Sequence, residues 1–411
     1  MTVQRATPAV PVLLAVQNQG VPQDVRVTGF ARTLVKAGYR VAILAPSRPN
    51  QPTEEEIDGF VVHRFREPPD GAGITGYARE VSTSLWRMFR RRWGLIARHT
   101  SYILHVCNPP DVLWAPFLGH CRRTVRIYDQ HDLVPELYLA KGGRRGSLPH
   151  RALLAMERTA YRWADLVLAP NQTYARVAAS RGRVSNERIH VVRNAPRPDL
   201  WYPGHPSSAF REGADFVLCY VGGIAQQDGV DELVRAMAWT RQADTSRRYL
   251  CLVVGHGSAL GAVQGLTRSL QMEDSVRFFG WISDPATLRE IVASADVGIE
   301  PCPSNAFNDA SSMIKLTEYL AAGRPVVAYD LPEHRITVGD AGVLVAPDQG
   351  AEGLGAAIVR MASDRTALGR FAQNATGRLA SGNLSAARSA AALVGAYTQA
   401  RLLGASRGAK W

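Results

Sequence analysis

The sequence predicts an α/β protein of two domains, each built on a parallel sheet covered by helices on both faces. Three observations carry this reading. Short apolar, β-branched runs recur without alternation, as they do in strands buried on both sides. Stretches of helical period lie between them. The run NAPRPDLWYPGHP, Asn194–Pro206, breaks every period with its prolines before the rhythm restarts. A chain of 411 residues exceeds one ordinary core, and a hydrophobic content of 46% suffices for two.

In the first domain, residues 1–195, the expected strands are Val12–Val16, Val41–Ala45, Val61–Phe65, Ile103–Val106, Val125–Tyr128, Leu166–Ala169 and Ile189–Val192. Helices are expected between most of them, as at Val25–Ala37 and Arg151–Trp163. The second domain, residues 196–384, repeats the rhythm with Phe216–Val221, Tyr249–Val254, Val276–Phe279, Val297–Glu300, Val326–Ala328 and Val343–Val345. After Ala351 the pattern is almost wholly helical, and residues 385–411 hold a terminal helix at Ser385–Leu403.

Gly71–Gly76 matches G-x-G-x-x-G letter for letter, but it follows Pro68-Pro69-Asp70 rather than a first strand. A dinucleotide fingerprint turns directly from strand to helix, so the match is read as chance. No Walker A pattern is present. Five scattered cysteines without a C-x-x-C pair argue against a disulfide framework or a cysteine zinc site and for a reducing compartment. The apolar piece Ala9–Val16 is broken by Pro11 and too short to span a bilayer, so a soluble cytoplasmic protein is expected. The net charge of +12 and pI near 9.8 admit nucleic acid, anionic membrane or phosphorylated ligands. No nucleic-acid module pattern appears, so no nucleic-acid partner is expected. Segment 83–98, TSLWRMFRRRWGLIAR, reads as a basic amphipathic helix. Arg87, Arg90, Arg91 and Arg98 share one face, and Leu85, Met88, Phe89 and Ile96 lie largely opposite. It reads either as a packed surface helix with solvated arginines or as a weak contact to a membrane surface.

The most informative stretch is NDASSMIKLTEYLAAGRPVVA, Asn308–Ala328. Asp309, Ala310, Ser311 and Ser312 lead into a helical pattern of Met313, Leu316, Leu320 and Ala321. Gly323 stops the helix, Pro325 follows, and Val326–Ala328 reads as a strand. Open amides at such a helix start suit an anion. Lys315 and Glu318, three apart, share a face. A cation beside a phosphate site and a carboxylate one turn on would grip a nucleoside diphosphate and its ribose. The chain has only four lysines, so Lys315 is not its default cation.

This stretch resembles the donor-binding segment of family-4 glycosyltransferases, retaining enzymes of the GT-B fold. It is closest to the pattern N-D-x-S-(T/S)-M-x-K-x-x-E-Y. The resemblance implies two Rossmann-like, doubly wound domains facing across a cleft, with the C-terminal helix crossing back to the first. It implies retaining transfer of a hexosyl group from a nucleotide sugar, UDP-linked or GDP-linked, to a small-molecule or glycan acceptor, lipid-linked acceptors included. The nucleotide sugar is a co-substrate, with no cofactor and no metal expected. The family often carries two glutamates eight residues apart. Here Glu318 fills the second place, and Ala310, beside Asp309, the first.

The resemblance carries over residue by residue. Gly222 and Gly223, before Gln226–Asp231, would admit a diphosphate to backbone amides. The family's usual Arg and Lys are replaced here by Gly223 and Asp228, which throws the weight onto Lys315. Gly255 and His256 end the next strand at crevice position. Trp281 and Ile282 follow the third, and Trp281 reads equally as a base contact or a packing aromatic. Ser311, Ser312 and Met313 complete the donor side, with Asp309 and Lys315 in catalytic roles. On the acceptor side, His131 would bond the sugar or relay a proton, with Gln19, Gln23, Asp24, Asn108 and Asp132 around it. Two rivals stand beside this reading: a sugar-nucleotide epimerase or hydrolase of the same fold, and a non-catalytic nucleotide-sugar binder.

Overall fold

The structure, a computed structural model, describes residues 10–409 apart from 49, 69–72, 97–101, 120–122, 382 and 383. It divides into two compact units. The first comprises Met1–Leu139, Gly143–Arg193 and Ala390–Trp411, and the second Asn194–Ser389 with Ala140–Gly142.

The first unit holds an eight-stranded sheet of β1 (Pro11–Ala15), β2 (Arg40–Ser47), β3 (Glu54–Ile57), β4 (Phe60–Arg66), β5 (Ile103–Cys107), β6 (Val125–Asp129), β7 (Leu166–Ala169) and β8 (Ile189–Val191). Its order is β3-β4-β2-β1-β5-β6-β7-β8. All pairings are parallel except β3 with β4. The second unit holds β9 (Phe216–Val221), β10 (Tyr249–Val254), β11 (Val276–Gly280), β12 (Val297–Glu300), β13 (Val326–Tyr329) and β14 (Gly342–Val345). Its order, β11-β10-β9-β12-β13-β14, is parallel throughout.

Both sheets are buried on both faces, which is why their strands lack a polar alternation. Neighbouring residues fall into different cores: Leu14, Ile43 and Ile127 on one face of the first sheet, Leu13, Leu44 and Val167 on the other. In the second sheet Leu218, Tyr220 and Cys251 oppose Val217, Cys219 and Leu250. Strand order reverses between β1 and β5 and between β9 and β12, and the crevice at the carboxyl ends of such strands is where this class of sheet binds ligands.

The expected strands all form, with ends shifted by a residue or two. Strand β3 was not expected. Its run of three glutamates reads as a solvated charge cluster, yet it pairs antiparallel with β4 through Asp58-Gly59. Both turn residues have positive φ, 49° and 81°, as a tight hairpin demands.

The final helix, Ala386–Ser406, packs Leu393, Ala396, Tyr397 and Ala400 into the first unit's core. Among the described residues no helix is long and apolar enough to cross a membrane. Helix Gly73–Ile96 corrects the expected division of faces. Met88 is buried, but Phe89 is exposed beside Arg90 and Arg91, and Trp86 is exposed with them. Arg92, the residue that turns inward, donates to the carbonyl of Pro116 and lies over the Phe89 ring. Arg98 and the Ile96 side chain lie outside the described residues, as do Gly71 and Ala72 of the glycine-rich match.

Candidate active site

In the second unit the site grows from the end of β9. Gly222 N–H bonds Val254 O at 3.0 Å, and Gly255 N–H bonds Gly280 O at 2.9 Å, so the turns after β9, β10 and β11 are laced together. Only glycine fits at Gly255, and a side chain at Gly222 would displace the end of Lys315. A Cβ on Gly255, whose φ is +143°, would lie 1.8 Å from Gly222 O, and a Cβ on Gly222 would lie 2.9 Å from Nζ of Lys315. The backbone thus runs against the lysine ammonium.

Lys315 is buried in the first turn of helix Ile314–Ala321. Its Nζ lies 2.8 Å from Oε2 of Glu300, 3.1 Å from the Tyr220 hydroxyl and 4.3 Å above the Tyr220 ring. Burial is the largest influence and opposes the ammonium charge, but Glu300 foremost, with Tyr220, Tyr319 and Asp228, together outweighs it and holds the Lys315 pKa well above the usual range. Glu300, the fully buried last residue of β12, is the partner that sequence reasoning missed. A carboxylate ending an otherwise apolar strand was the available signal.

The helix begins later than expected. Residues 306–310 form turns, 311–313 have no regular structure, and Met313 is the N-cap, with no side chain capping the helix. The open amides therefore lie at Ile314 and Lys315. Ser311 Oγ donates to Phe307 O at 2.7 Å and Ser312 Oγ to Glu333 at 3.1 Å, which shapes the approach loop. Asp309 is half-buried and receives Ser304 Oγ at 3.0 and 3.1 Å, while Ala310 is buried. Glu318 is half-buried. Burial pushes its carboxyl up to about 7, against a hydrogen bond from Trp201 and the Lys315 charge. Trp281 is 58% exposed, Ile282 packs partly buried against the core, and His256 is exposed. Asp228 accepts Ala225 N–H at 2.8 Å and closes the loop after β9.

In the first unit, β6 ends on Asp129, which is fully buried. Arg26 Nε and Nη2 donate to its two oxygens at 2.9 and 2.6 Å, and His131 Nε2 lies 2.8 Å from Oδ2. Burial disfavours the carboxylate, but Arg26 foremost holds its pKa well below the usual range. For His131, burial lowers proton affinity, and Asp129 with Asp24 raises it on balance.

Two expected acceptor-side residues turn out to build the loop. Asn108 is fully engaged: Nδ2 donates to Asp111 and to Asp132 O, both at 2.7 Å, and Oδ1 receives the N–H of His131 and Asp132. Asp24 caps helix Val25–Lys36 by accepting Val27 N–H at 2.9 Å. Gln19 and Gln23 are half-buried in the turn after β1. His105, Cys107 and Asp129 bring possible ligand atoms within 4.8 Å of one another. Arg26 already donates to both Asp129 oxygens and the Tyr397 hydroxyl meets Nδ1 of His105, so these donors are engaged within the protein.

Residues 215–364 match the family Glycosyl transferases group 1, and residues 23–199 match Glycosyltransferase Family 4. Together these matches take in most of the chain, and it belongs to the family-4 type of GT-B glycosyltransferases. Among curated proteins it is similar to D-inositol 3-phosphate glycosyltransferase of Corynebacterium aurimucosum, 28% identical over 195 residues, 44% of this chain and 45% of that one. The match spans about half the length of each of the curated relatives. The fold is that of sucrose-phosphate synthase from Thermosynechococcus elongatus, with TM-score 0.77, 19% identity and coverage of 96% and 99% of the two chains. It is also that of Anabaena HepE in complex with UDP-glucose, with TM-score 0.66, 18% identity and coverage of 95% and 99%.

Proposed function

We propose that the protein transfers a hexosyl group from a nucleotide-diphosphate sugar to a small-molecule or glycan acceptor, lipid-linked acceptors included, with retention and without metal. The observation that carries this reading is the buried Lys315 ammonium, packed against Gly222 and carried by the first turn of helix Ile314–Ala321, whose start no side chain caps. UDP is favoured over GDP because a relative of the same fold holds UDP-glucose. In this reading the donor diphosphate competes with Glu300 for Lys315. The bond from the anomeric carbon to the phosphate oxygen breaks, and the acceptor oxygen bonds the same face. The acceptor proton passes to the departing phosphate. Charge on the diphosphate grows as the bond breaks, so the ammonium helps the transition state more than the ground state.

The test is to incubate the purified protein with UDP- and GDP-sugars, with and without acceptor pools. Product that needs an acceptor supports transfer. Turnover of the donor alone supports the epimerase or hydrolase. One observation favours a non-catalytic binder: a carboxylate, Asp228, closes the loop where the family usually has a cation. Tight donor binding without turnover would establish it.

Glu318 is assigned to the ribose hydroxyls. Only the carboxylate accepts two such bonds, and its pKa is about 7. UDP affinity is therefore expected to rise as pH rises through 7, and Glu318→Gln to weaken binding and flatten that rise without altering the fold. Calorimetry across pH checks this, and an unchanged dissociation constant in the variant would sink it.

Helix Gly73–Ile96 is proposed to touch an anionic membrane surface through Trp86 and Phe89, with Arg90 and Arg91 beside them. Co-sedimentation with phosphatidylserine vesicles should exceed that with phosphatidylcholine and fall with salt. Trp86→Ala with Phe89→Ala should abolish it. Equal recovery with both lipids would end the proposal.

A further inference from the structure

Four side chains of the first unit make a chain of contacts that ends on His131. The Tyr397 hydroxyl, from helix Ala386–Ser406, lies 2.8 Å from Nδ1 of His105. His105 Nε2 lies 3.4 Å from Oδ2 of Asp129, and the same oxygen is 2.8 Å from His131 Nε2. Arg26 clamps the carboxylate from its other side and is fixed in turn by Nη1 donating to Val192 O at 2.8 Å. Tyr397, His105 and Asp129 are all fully buried, while the His131 side chain keeps 12% exposure. A carboxylate is held at such depth only by pairing and hydrogen bonding. Here its one outlet is an imidazole whose Nδ1 meets no hydrogen-bond partner among the described residues.

We infer that Asp129 is a positioning residue for His131, accepting its Nε2–H so that Nδ1 presents the open lone pair, with Arg26 fixing the carboxylate and the Tyr397–His105 pair packed behind it. A neutral imidazole that donates from one nitrogen accepts at the other, so the carboxylate selects the tautomer. The charged groups facing His131 are Asp129, Asp24 and Arg26, with the His105 ring behind Asp129. Burial lowers its proton affinity, both carboxylates raise it and Arg26 opposes them, with a net rise. This inference deepens the sugar-transfer reading and rests on it for the role of Nδ1, which accepts a hydrogen bond from a hydroxyl of the sugar or relays the acceptor proton toward the departing phosphate.

Asp129→Asn removes the anion that raises His131. The ascending limb of turnover against pH should therefore move to lower pH. Turnover should fall about a hundredfold or more, with UDP affinity unchanged. Tyr397→Phe should lower turnover severalfold, again at constant UDP affinity. Because the amide leaves the buried Arg26 without its counter-charge, the wild-type protein is also measured directly. Nitrogen NMR of histidine-labelled protein, with His131 assigned through His131→Gln, should show the Nε2-protonated tautomer above its pKa. The Nδ1-protonated tautomer, or a folded Asp129→Asn protein with an unmoved pH profile, would overturn the inference. If the tautomer is as stated but no donor and acceptor give product, the transfer reading fails and the Asp129–His131 arrangement stands.

Discussion

Replacing Lys315 with alanine is expected to lower sugar-transfer turnover by about a hundred- to a thousandfold, the usual cost of losing one donor to developing charge. The family's other two diphosphate cations are Gly223 and Asp228 here, so no side chain of that loop compensates. The same substitution strands Glu300, fully buried and 2.8 Å from the ammonium, so part of any loss could reflect damage to the fold. The double variant Lys315→Met with Glu300→Gln separates the two effects. It removes both charges, so melting should recover toward wild type while turnover stays low. His131→Ala, by contrast, should slow transfer and leave UDP affinity nearly intact. Near-normal turnover in Lys315→Ala would take the lysine out of the site, and with it the core of the functional reading.

Arg26→Ala is expected to be the most damaging single change to stability. Arg26 and Asp129 form a bidentate pair with side-chain exposures of 6% and 0%. Removing one partner of a buried pair costs about 3–5 kcal/mol. For a unit of this size that corresponds to a fall in Tm of roughly 10 °C. The pH dependence has a definite sign. Asp129 has a depressed folded pKa, so its contribution is present above the ordinary carboxylate range and is lost as pH falls through the depressed value. The gap between wild type and variant should therefore narrow on acidification. Calorimetric melting at neutral and acidic pH checks both points, and a gap that widens in acid would contradict the assignment.

The strands were legible because burial on both faces strips them of polar residues, and Leu166–Ala169, Phe216–Val221 and Tyr249–Val254 match to the residue. Strand β3 was hidden by its charges, since Glu54–Ile57 owes its place to the Asp58-Gly59 turn and to pairing with β4 rather than to an apolar face. In the site, Lys315 could be singled out because lysine is scarce in this chain. Its partner could not, because the Lys315–Glu300 contact is made only when a strand end and a helix start meet across the turn after β9. The same holds for Arg26, Asp129 and Tyr397, which lie on three distant segments. Asn108 and Asp24 were placed on the acceptor side by resemblance, Asn108 at a strand end and Asp24 in the first loop. The structure engages both in holding the loop and the helix start. Phe89 was placed on the wrong face because helical spacing alone does not say which side of helix Gly73–Ile96 meets the sheet.

The return of helix Ala386–Ser406 has a consequence for the order in which the molecule is made. The core around β1, β2 and β5 includes Leu393, Ala396, Tyr397 and Ala400, and the Tyr397–His105 bond joins residues 292 apart in sequence. A ribosome therefore releases every strand of the first sheet long before the helix that completes its core. The second unit, whose strands run from Phe216 to Val345 without interruption, is synthesised whole in the interval. The first unit is thus begun before the second and finished after it. Until residue 400 has emerged, a nascent first sheet lacks the apolar side chains that cover Tyr39 and His105, and exposes the kind of surface on which incomplete domains aggregate.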